Sequence, residues 1–351
     1  MNWNQFLASQ GARAECADFG DPAGELAAAR IGTVLVPLYD LGVIGVSGED
    51  ALSFLHNLLT SDIKGLQTNH GRRAGLCTPK GRLIATLLVW RTESGCWLVL
   101  PRDLLPAVLK KLAMYVLRSK VKLEDKTAQV VLLGISGPAC KQALSAVSAI
   151  GGVAETMTSL QFEQGSALFL SPERCLLLLE ANMAESAWRA LSLHARPAGL
   201  ATWHWLEITA GVPQVTLATQ EAFVPQMINY EIVGGVSFNK GCYPGQEVVA
   251  RSQYLGKVKR RMYRAHIAAP VQIGSELFSP EAGDQACGSV LQVAPSPLGG
   301  TEILAVIQSS SFEAGNVHLG TPGGAALRFL PLPYDPNAEA VAGGSTKTTS
   351  S

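Results

Sequence analysis

Lys240-Gly241-Cys242-Tyr243-Pro244-Gly245-Gln246-Glu247, running on into Val248-Val249-Ala250-Arg251, is the stretch that decides how this chain is read. Its two glycines and a proline force a tight, specified backbone, and a helix is expected to open at Gly245 or Gln246. Cys242 stands two positions from Lys240. A cysteine held at a turn beside positive charge is the setting in which a thiol pKa falls and a thiolate becomes available. A lone cysteine is also commonly a small buried apolar residue. Local chemistry leaves both readings open.

Outward from that stretch lie 351 residues, too many for one ordinary core, so two or three domains are expected. Apolar residues make up 47% and charged ones 16%, which excludes disorder for most of the chain. Lys plus Arg and Asp plus Glu balance at 28 each, so no global field draws the protein to nucleic acid or an anionic membrane. The seven cysteines (16, 77, 96, 140, 175, 242 and 287) are odd in number, scattered and never in a C-x-x-C pair. That argues against a disulfide framework and against a zinc site. Met1-Asn2-Trp3-Asn4-Gln5 is not a basic segment leading into an apolar run. No apolar run approaches the ~20 residues that span a bilayer. The expectation is a soluble, reduced, cytoplasmic protein with no metal ligand set and no membrane partner.

Taken in order, residues 1–30 are Ala- and Gly-rich and predict a short helix and a loose lead-in. Two short strands follow at 35–38 and 42–46. Ser47-Gly48-Glu49-Asp50 has capping-box spacing ahead of a helix with an apolar stripe at Ala51, Leu52, Leu55, Leu58 and Leu59. Pro79-Lys80-Gly81-Arg82 turns a hairpin between strands at 74–78 and 83–90. A strand at 96–100, a helix striped by Leu105, Val108, Leu109, Leu112 and Val116, and an exposed strand at 121–124 complete this part. Strands and helices alternate again over 126–197, closing on Arg196-Pro197-Ala198-Gly199, which resembles a linker. Trp203 to Ile208 predict a helix that ends at Gly211-Val212-Pro213. Beyond Arg264, short strands with frequent Gly and Pro suggest a small barrel or sandwich. The tail after Pro336 is of low complexity and is expected to be disordered.

Familiar catalytic patterns are missing: there is no GxGxxG after a strand, Walker loop, HExxH or GxSxG. The six histidines lie far apart and predict surface or hydrogen-bonded side chains, His204 between two tryptophans being the exception. Trp203 and Trp205 stand two apart on a helix and point to different faces, so at least one is expected outside the core. There it would be a stacking platform for a bicyclic ligand; core packing is the alternative. Lys257-Val258-Lys259-Arg260-Arg261 is the one dense basic run. It could meet phosphate or a polyglutamate tail, or it is a solvated strand face. Without interleaved aromatics, and with zero net charge, it argues against direct tRNA binding.

The opening stretch, preceded by Gly234-Gly235-Val236-Ser237-Phe238, resembles the signature of the YgfZ-type folate-binding proteins, relatives of the glycine-cleavage T-protein, an aminomethyltransferase. The resemblance covers most of residues 31–335. It includes Val46-Ser47-Gly48-Glu49-Asp50-Ala51 with Thr60-Ser61-Asp62, then Pro79-Lys80-Gly81-Arg82 and Ser119-Lys120-Val121. It continues through Trp203, Phe223-Val224-Pro225-Gln226-Met227-Ile228-Asn229 and Leu330-Pro331-Leu332-Pro333-Tyr334.

The resemblance implies an α+β fold, a three-domain ring around a folate-binding hole, ending in a β-barrel. The implied segments are a lead-in at 1–30, a folate-binding domain of 31–125 plus 198–250, an α/β domain at 126–197, the barrel at 251–335 and a tail at 336–351. It also implies that tetrahydrofolate, or a one-carbon derivative, is bound by Trp203, Gln226, Asn229, Tyr243, Gln246, Glu247 and Arg251. Cys242 is then the reactive thiol, with Lys240 beside it. The implied role is maintenance of iron–sulfur client enzymes, including ones that modify tRNA. A folate-dependent one-carbon transferase is the alternative. Departures count against the transferase: an aromatic of the family falls at Leu41, no acid stands near Cys77-Thr78-Pro79, and Thr209 replaces a Glu, leaving Glu207 two residues earlier.

Overall fold

A computed structural model describes residues 2–148, 155–163, 165–254 and 258–338. Lys257 and most of the low-complexity tail lie outside the described residues.

The first thirty residues are better ordered than their composition suggests. Helix α1 (Trp3–Ser9) is closed by a capping box between Asn2 and Gln5. Helix α2 (Pro22–Ile31) starts at Asp21, whose side chain accepts from Gly24 N–H. Phe6 and Leu7 are buried, so the segment is part of a core rather than a loose lead-in. Glu25, also buried, accepts from the backbone N–H of Phe19 at 2.7 Å and of Gly199 at 2.8 Å.

Strand β1 (Val34–Pro37) is an unbroken apolar run and is buried throughout. Next come β2 (Leu41–Ser47), α3 (Ala51–Leu58), β3 (Gly71–Cys77), β4 (Leu83–Arg91), β5 (Gly95–Pro101), α4 (Leu105–Val116) and β6 (Lys122–Asp125). The capping box expected at Ser47 to Asp50 does not form. Asp50 stands at the N-cap of α3, but its carboxylate accepts the Lys120 N–H at 2.8 Å, a tertiary partner that wins over the local one. Gly48, at φ +112°, allows this approach, since a Cβ there would come within 2.1 Å of the Lys120 carbonyl oxygen. The Gly48-Glu49-Asp50 and Ser119-Lys120-Val121 motifs are thus two halves of one contact.

The chain continues with β7 (Val130–Ser136), α5 (Cys140–Ser145), β8 (Ser159–Phe162), β9 (Gly165–Ser171), β10 (Arg174–Glu180) and α6 (Ala184–Leu191). Residues 196–197, expected in a linker, form the short strand β11 (Arg196–Pro197), parallel to β1. Helix α7 (Leu200–Thr209) follows, then α8 (Gln246–Tyr254), β12 (Arg260–Ile267), β13 (Glu276–Phe278), β14 (Gly288–Pro295), β15 (Thr301–Gln308), α9 (Ser309–Ala314), β16 (His318–Leu319) and β17 (Arg328–Leu330).

Three sheets result. One is antiparallel in the order β3-β4-β5-β2-β6. The second, β11-β1-β7-β10-β9-β8, takes in β1 from far earlier in the chain. The third, β16-β13-β14-β15-β12-β17, curls at the C-terminus. It forms a curled half-barrel, with an isolated bridge from His318 of β16 to Ala326, two residues ahead of β17. The α+β class holds.

Helix α7 lies within the largest core, which draws side chains from the first sheet, from α3 and from the face of the half-barrel that carries Met262, Leu304 and Val306. The opposite face, with Tyr263, Ala265 and Ile303, forms a separate core. Both tryptophans of α7 are therefore buried, and the expectation that one would stand outside the core is not met. Trp205 donates its indole N–H to Glu302 at 3.1 Å, and Glu302 also accepts from Arg264 Nε at 3.0 Å. A bulge in β14 between Val290 and Gln292 disturbs the ladder, and Gln292 accepts from Gln214 N–H at 2.8 Å. The chain then returns to the body. Tyr334 donates its hydroxyl to the Gly211 carbonyl at 2.6 Å, with Leu332 beside it.

Candidate functional site

Two separate places gather the sequence-predicted residues. The first is the loop of the opening motif. Ahead of it, Gln226 is fully buried and donates from Nε2 to the Val249 carbonyl at 2.7 Å. Asn229 takes the left-handed conformation, φ +55°, which asparagine tolerates, and donates to the Met262 carbonyl at 2.8 Å. Both residues thus brace backbone: Gln226 holds α8 and Asn229 holds β12. The chain next runs along Thr60-Ser61-Asp62. Thr60 donates to the Gly235 carbonyl at 2.5 Å, and Asp62 N–H donates to Ser237 Oγ at 3.1 Å.

Lys240 then turns into the body. Its ammonium donates to the carbonyls of His56 and Leu59 at the C-terminal end of α3, where a cation completes unpaired backbone acceptors. It also lies 4.8 Å from the centre of the Tyr243 ring. Burial pulls its pKa down to about 8, partly offset by Asp62. His56 Nδ1 stands 3.0 Å from Asp62 Oδ1. Burial and then the Lys240 charge lower the His56 pKa, against Asp62. Tyr243 is buried, and desolvation raises its hydroxyl pKa.

Cys242 is exposed, whereas the other six cysteines are buried. Desolvation pushes the Cys16, Cys77 and Cys96 thiols up to about 12. The loop ends at Gly245, φ +84°, where a Cβ would come within 2.4 Å of the Thr78 carbonyl and 2.7 Å of Gly81. The Pro79-Lys80-Gly81-Arg82 turn is therefore the surface the motif packs on. Gln246 opens α8 as expected. Glu247 and Arg251 are exposed on that helix.

The second place is an open pocket with about 680 Å³ of empty space, part of it open to solvent. Of the residues expected to hold folate, Trp203 alone lines it. Trp203 and Glu207, one turn apart on α7, both face it. The six-membered ring of Trp203 lies against Gly134, where a Cβ would come within 2.4 Å of the indole. The Arg174 guanidinium sits 4.7 Å from the indole centre and pairs with Glu207 at 2.6 Å. One aromatic face is therefore taken by a cation. Leu41 lines the pocket as an aliphatic wall.

Asp40, Arg73 and His204 line the pocket as well, and none was singled out as a ligand-binding residue from sequence. Single charges on strands and turns carry no local signal. His204, between its tryptophans, came nearest to giving one. His204 Nε2 stands 2.6 Å from Asp40 Oδ2, while Asp40 Oδ1 is buried with no hydrogen-bond partner among the described residues. Burial pulls the His204 pKa down, but the hydrogen bond and charge of Asp40 outweigh it and leave the value raised. A raised folded-state pKa means the pair's contribution is fully present below the ordinary 6.5 and is lost as pH rises through the higher folded value. Asp40→Asn should drop the His204 pKa below 6.5, read from the imidazole proton shifts across a pH titration. An unchanged titration would disprove the coupling.

Ion pairs take up Arg261 of the basic run and Arg264 just beyond it. Arg261 is buried and pairs with the buried Glu231, and Arg264 pairs with Glu302. Of the run, Lys259 is exposed. The reading as a solvated strand face therefore fails at Arg261, whose inward position follows from the alternation of β12. Among the described residues, no helix is long and apolar enough to cross a membrane. Nor does any group of three or more His, Cys, Asp or Glu there have metal-holding geometry.

Residues 11–171 match the family of the GCVT N-terminal domain. The chain is 31% identical over 320 residues to the tRNA-modifying protein YgfZ of Edwardsiella ictaluri, covering 89% of this chain and 96% of that protein. Against the tRNA-modifying protein YgfZ of Klebsiella pneumoniae the identity is 30% over 319 residues, with the same coverage. In three dimensions it is similar to the glycine cleavage system aminomethyltransferase T of Bartonella henselae. There the TM-score is 0.71 at 17% identity, over 96% of this chain and 97% of that one, a likeness of fold alone. With likeness at this level over most of both chains, the chain belongs to the YgfZ family.

Proposed function

We propose that this protein binds tetrahydrofolate, or a one-carbon derivative, in the Trp203 pocket. It then serves in the cytoplasm as an accessory to the assembly or repair of iron–sulfur enzymes, including tRNA-modifying ones. The observation that carries the reading is the pairing of two features on one scaffold: a pocket walled by an indole, and a single exposed thiol on a braced loop. The names of the relatives support the link to tRNA modification. The aminomethyltransferase fold supports folate. We further propose the three-domain ring of that fold, with the segment boundaries given above.

In this reading Gln226 and Asn229 act through the scaffold. Lys240 fixes the loop that presents Cys242, with Tyr243 beside Lys240 and Gln246, Glu247 and Arg251 following on α8. Client enzymes are met there rather than tRNA, since the arginines at 261 and 264 are already paired.

Cys242→Ser should leave folding intact, because an exposed side chain has no packing to lose. It should nevertheless fail to restore iron–sulfur enzyme activity in a strain lacking the protein. Full restoration would remove the thiol from the mechanism. The alternative, a folate-dependent aminomethyl or one-carbon transferase, draws on the unpartnered Asp40 Oδ1 at the pocket. Its other oxygen is held by His204, and Glu207 is paired with Arg174, so no one-carbon transfer to tetrahydrofolate is expected from the purified protein.

A further inference from the structure

The charges around the Trp203 pocket do not balance. Glu207 is taken by Arg174 and Asp40 by His204, each at 2.6 Å. Arg73 lines the same pocket from β3, across from Leu88 of β4. Among the described residues its guanidinium makes no ion pair and donates no hydrogen bond. Desolvation above all lowers its pKa, Arg174 adds to that, and Glu207 and Tyr230 oppose it. Arg174 and Glu207 thus satisfy each other, while Arg73, half-buried on the pocket wall, is a cation with no partner among the described residues. Partly desolvating an ion without giving it a partner is unfavourable, and arginine keeps its proton in proteins. An apolar side chain would pack there at less cost.

We infer that Arg73 is a carboxylate-binding subsite of this pocket, its planar fork receiving both oxygens of an acidic group on the ligand. The fork geometry matches a carboxylate in shape as well as in charge. The inference rests on the folate reading for the ligand's identity, tetrahydrofolate carrying carboxylates on its glutamate tail. The chemistry itself asks for an organic acid with a flat apolar part set against Trp203 and Leu41.

The test is calorimetric titration of wild type and Arg73→Met with two probes, tetrahydrofolate and tetrahydrobiopterin, a pterin without the acidic tail. Arg73→Met should weaken tetrahydrofolate by at least about tenfold and change tetrahydrobiopterin by less than about twofold. Equal weakening of both probes, or no weakening of either, would overturn the inference. If wild type binds neither probe, the folate reading fails. The subsite is then judged alone with p-aminobenzoylglutamate: thermal stabilisation of wild type but not of Arg73→Met upholds it, and no stabilisation of wild type overturns it.

Discussion

Glu231→Ala is expected to destabilise the protein by about 3–5 kcal/mol, because it strands a buried guanidinium. Glu231 is 1% exposed and Arg261 is 9% exposed. Arg261 Nη1 donates both to the Glu231 carboxylate and to the Gln226 carbonyl, the latter at 2.9 Å. Desolvation raises the Glu231 pKa, and Arg261 pulls it back only in part. Burial of the pair is therefore incompletely compensated, and Glu231 Oε2 has no partner among the described residues. A double replacement, Glu231→Leu with Arg261→Met, should recover most of the loss, since a well-packed apolar pair often equals or betters a buried ion pair. Urea denaturation of the single and double variants measures both. A single variant within about 1 kcal/mol of wild type would show that the pair is not buried as described. The interaction pins the segment around Gln226 to β12, so its loss should also loosen the half-barrel from the body.

Trp203→Ala should remove most tetrahydrofolate binding and, by opening a cavity in the main core, cost about 3–5 kcal/mol of stability. The indole is 4% exposed and carries the Arg174 guanidinium. Without it, Arg174 loses a cation–π contact of about 1 kcal/mol, and the Arg174–Glu207 pair loses its support. Trp203→Phe separates the two effects. It keeps an aromatic wall and most of the packing, so it should fold while binding tetrahydrofolate about tenfold more weakly. Calorimetry is the proper readout, since fluorescence quenching would lose one of its own reporters. Wild-type affinity in Trp203→Phe together with Trp203→Ala would remove the indole from the site.

Much of this architecture was legible in local pattern. The hairpin at Pro79 to Arg82, the stripes of α3 and α4 and the opening of α8 at Gln246 all follow from spacing and turn chemistry. What could not be read was the direction of side chains with two equally good partners. Asp50 could cap its own helix or hold Lys120 N–H, and it holds Lys120. Gln226 and Asn229 look like ligand donors in sequence, yet each meets a backbone carbonyl. Lys240 suggested an activating charge for Cys242, but its ammonium faces the end of α3. Arg73 left no trace at all, because an unpaired charge on a pocket wall is defined by what is missing around it.

Tyr334 bears on how the protein is made. Its partner Gly211 lies 123 residues earlier and adjoins Val212, Pro213 and Gln214, which wall the pocket. That same wall leans on Gln292 through Gln214. A ribosome delivers residue 230 long before residue 334, so every pocket-lining side chain is synthesised while the wall still lacks its fastenings. Contacts this far apart carry a loop-closure cost that local ones avoid. Domains otherwise fold from the N-terminus as they emerge. The pocket is therefore among the last parts of the molecule to rigidify, and a nascent chain cannot present a finished ligand site until its C-terminal segment is free.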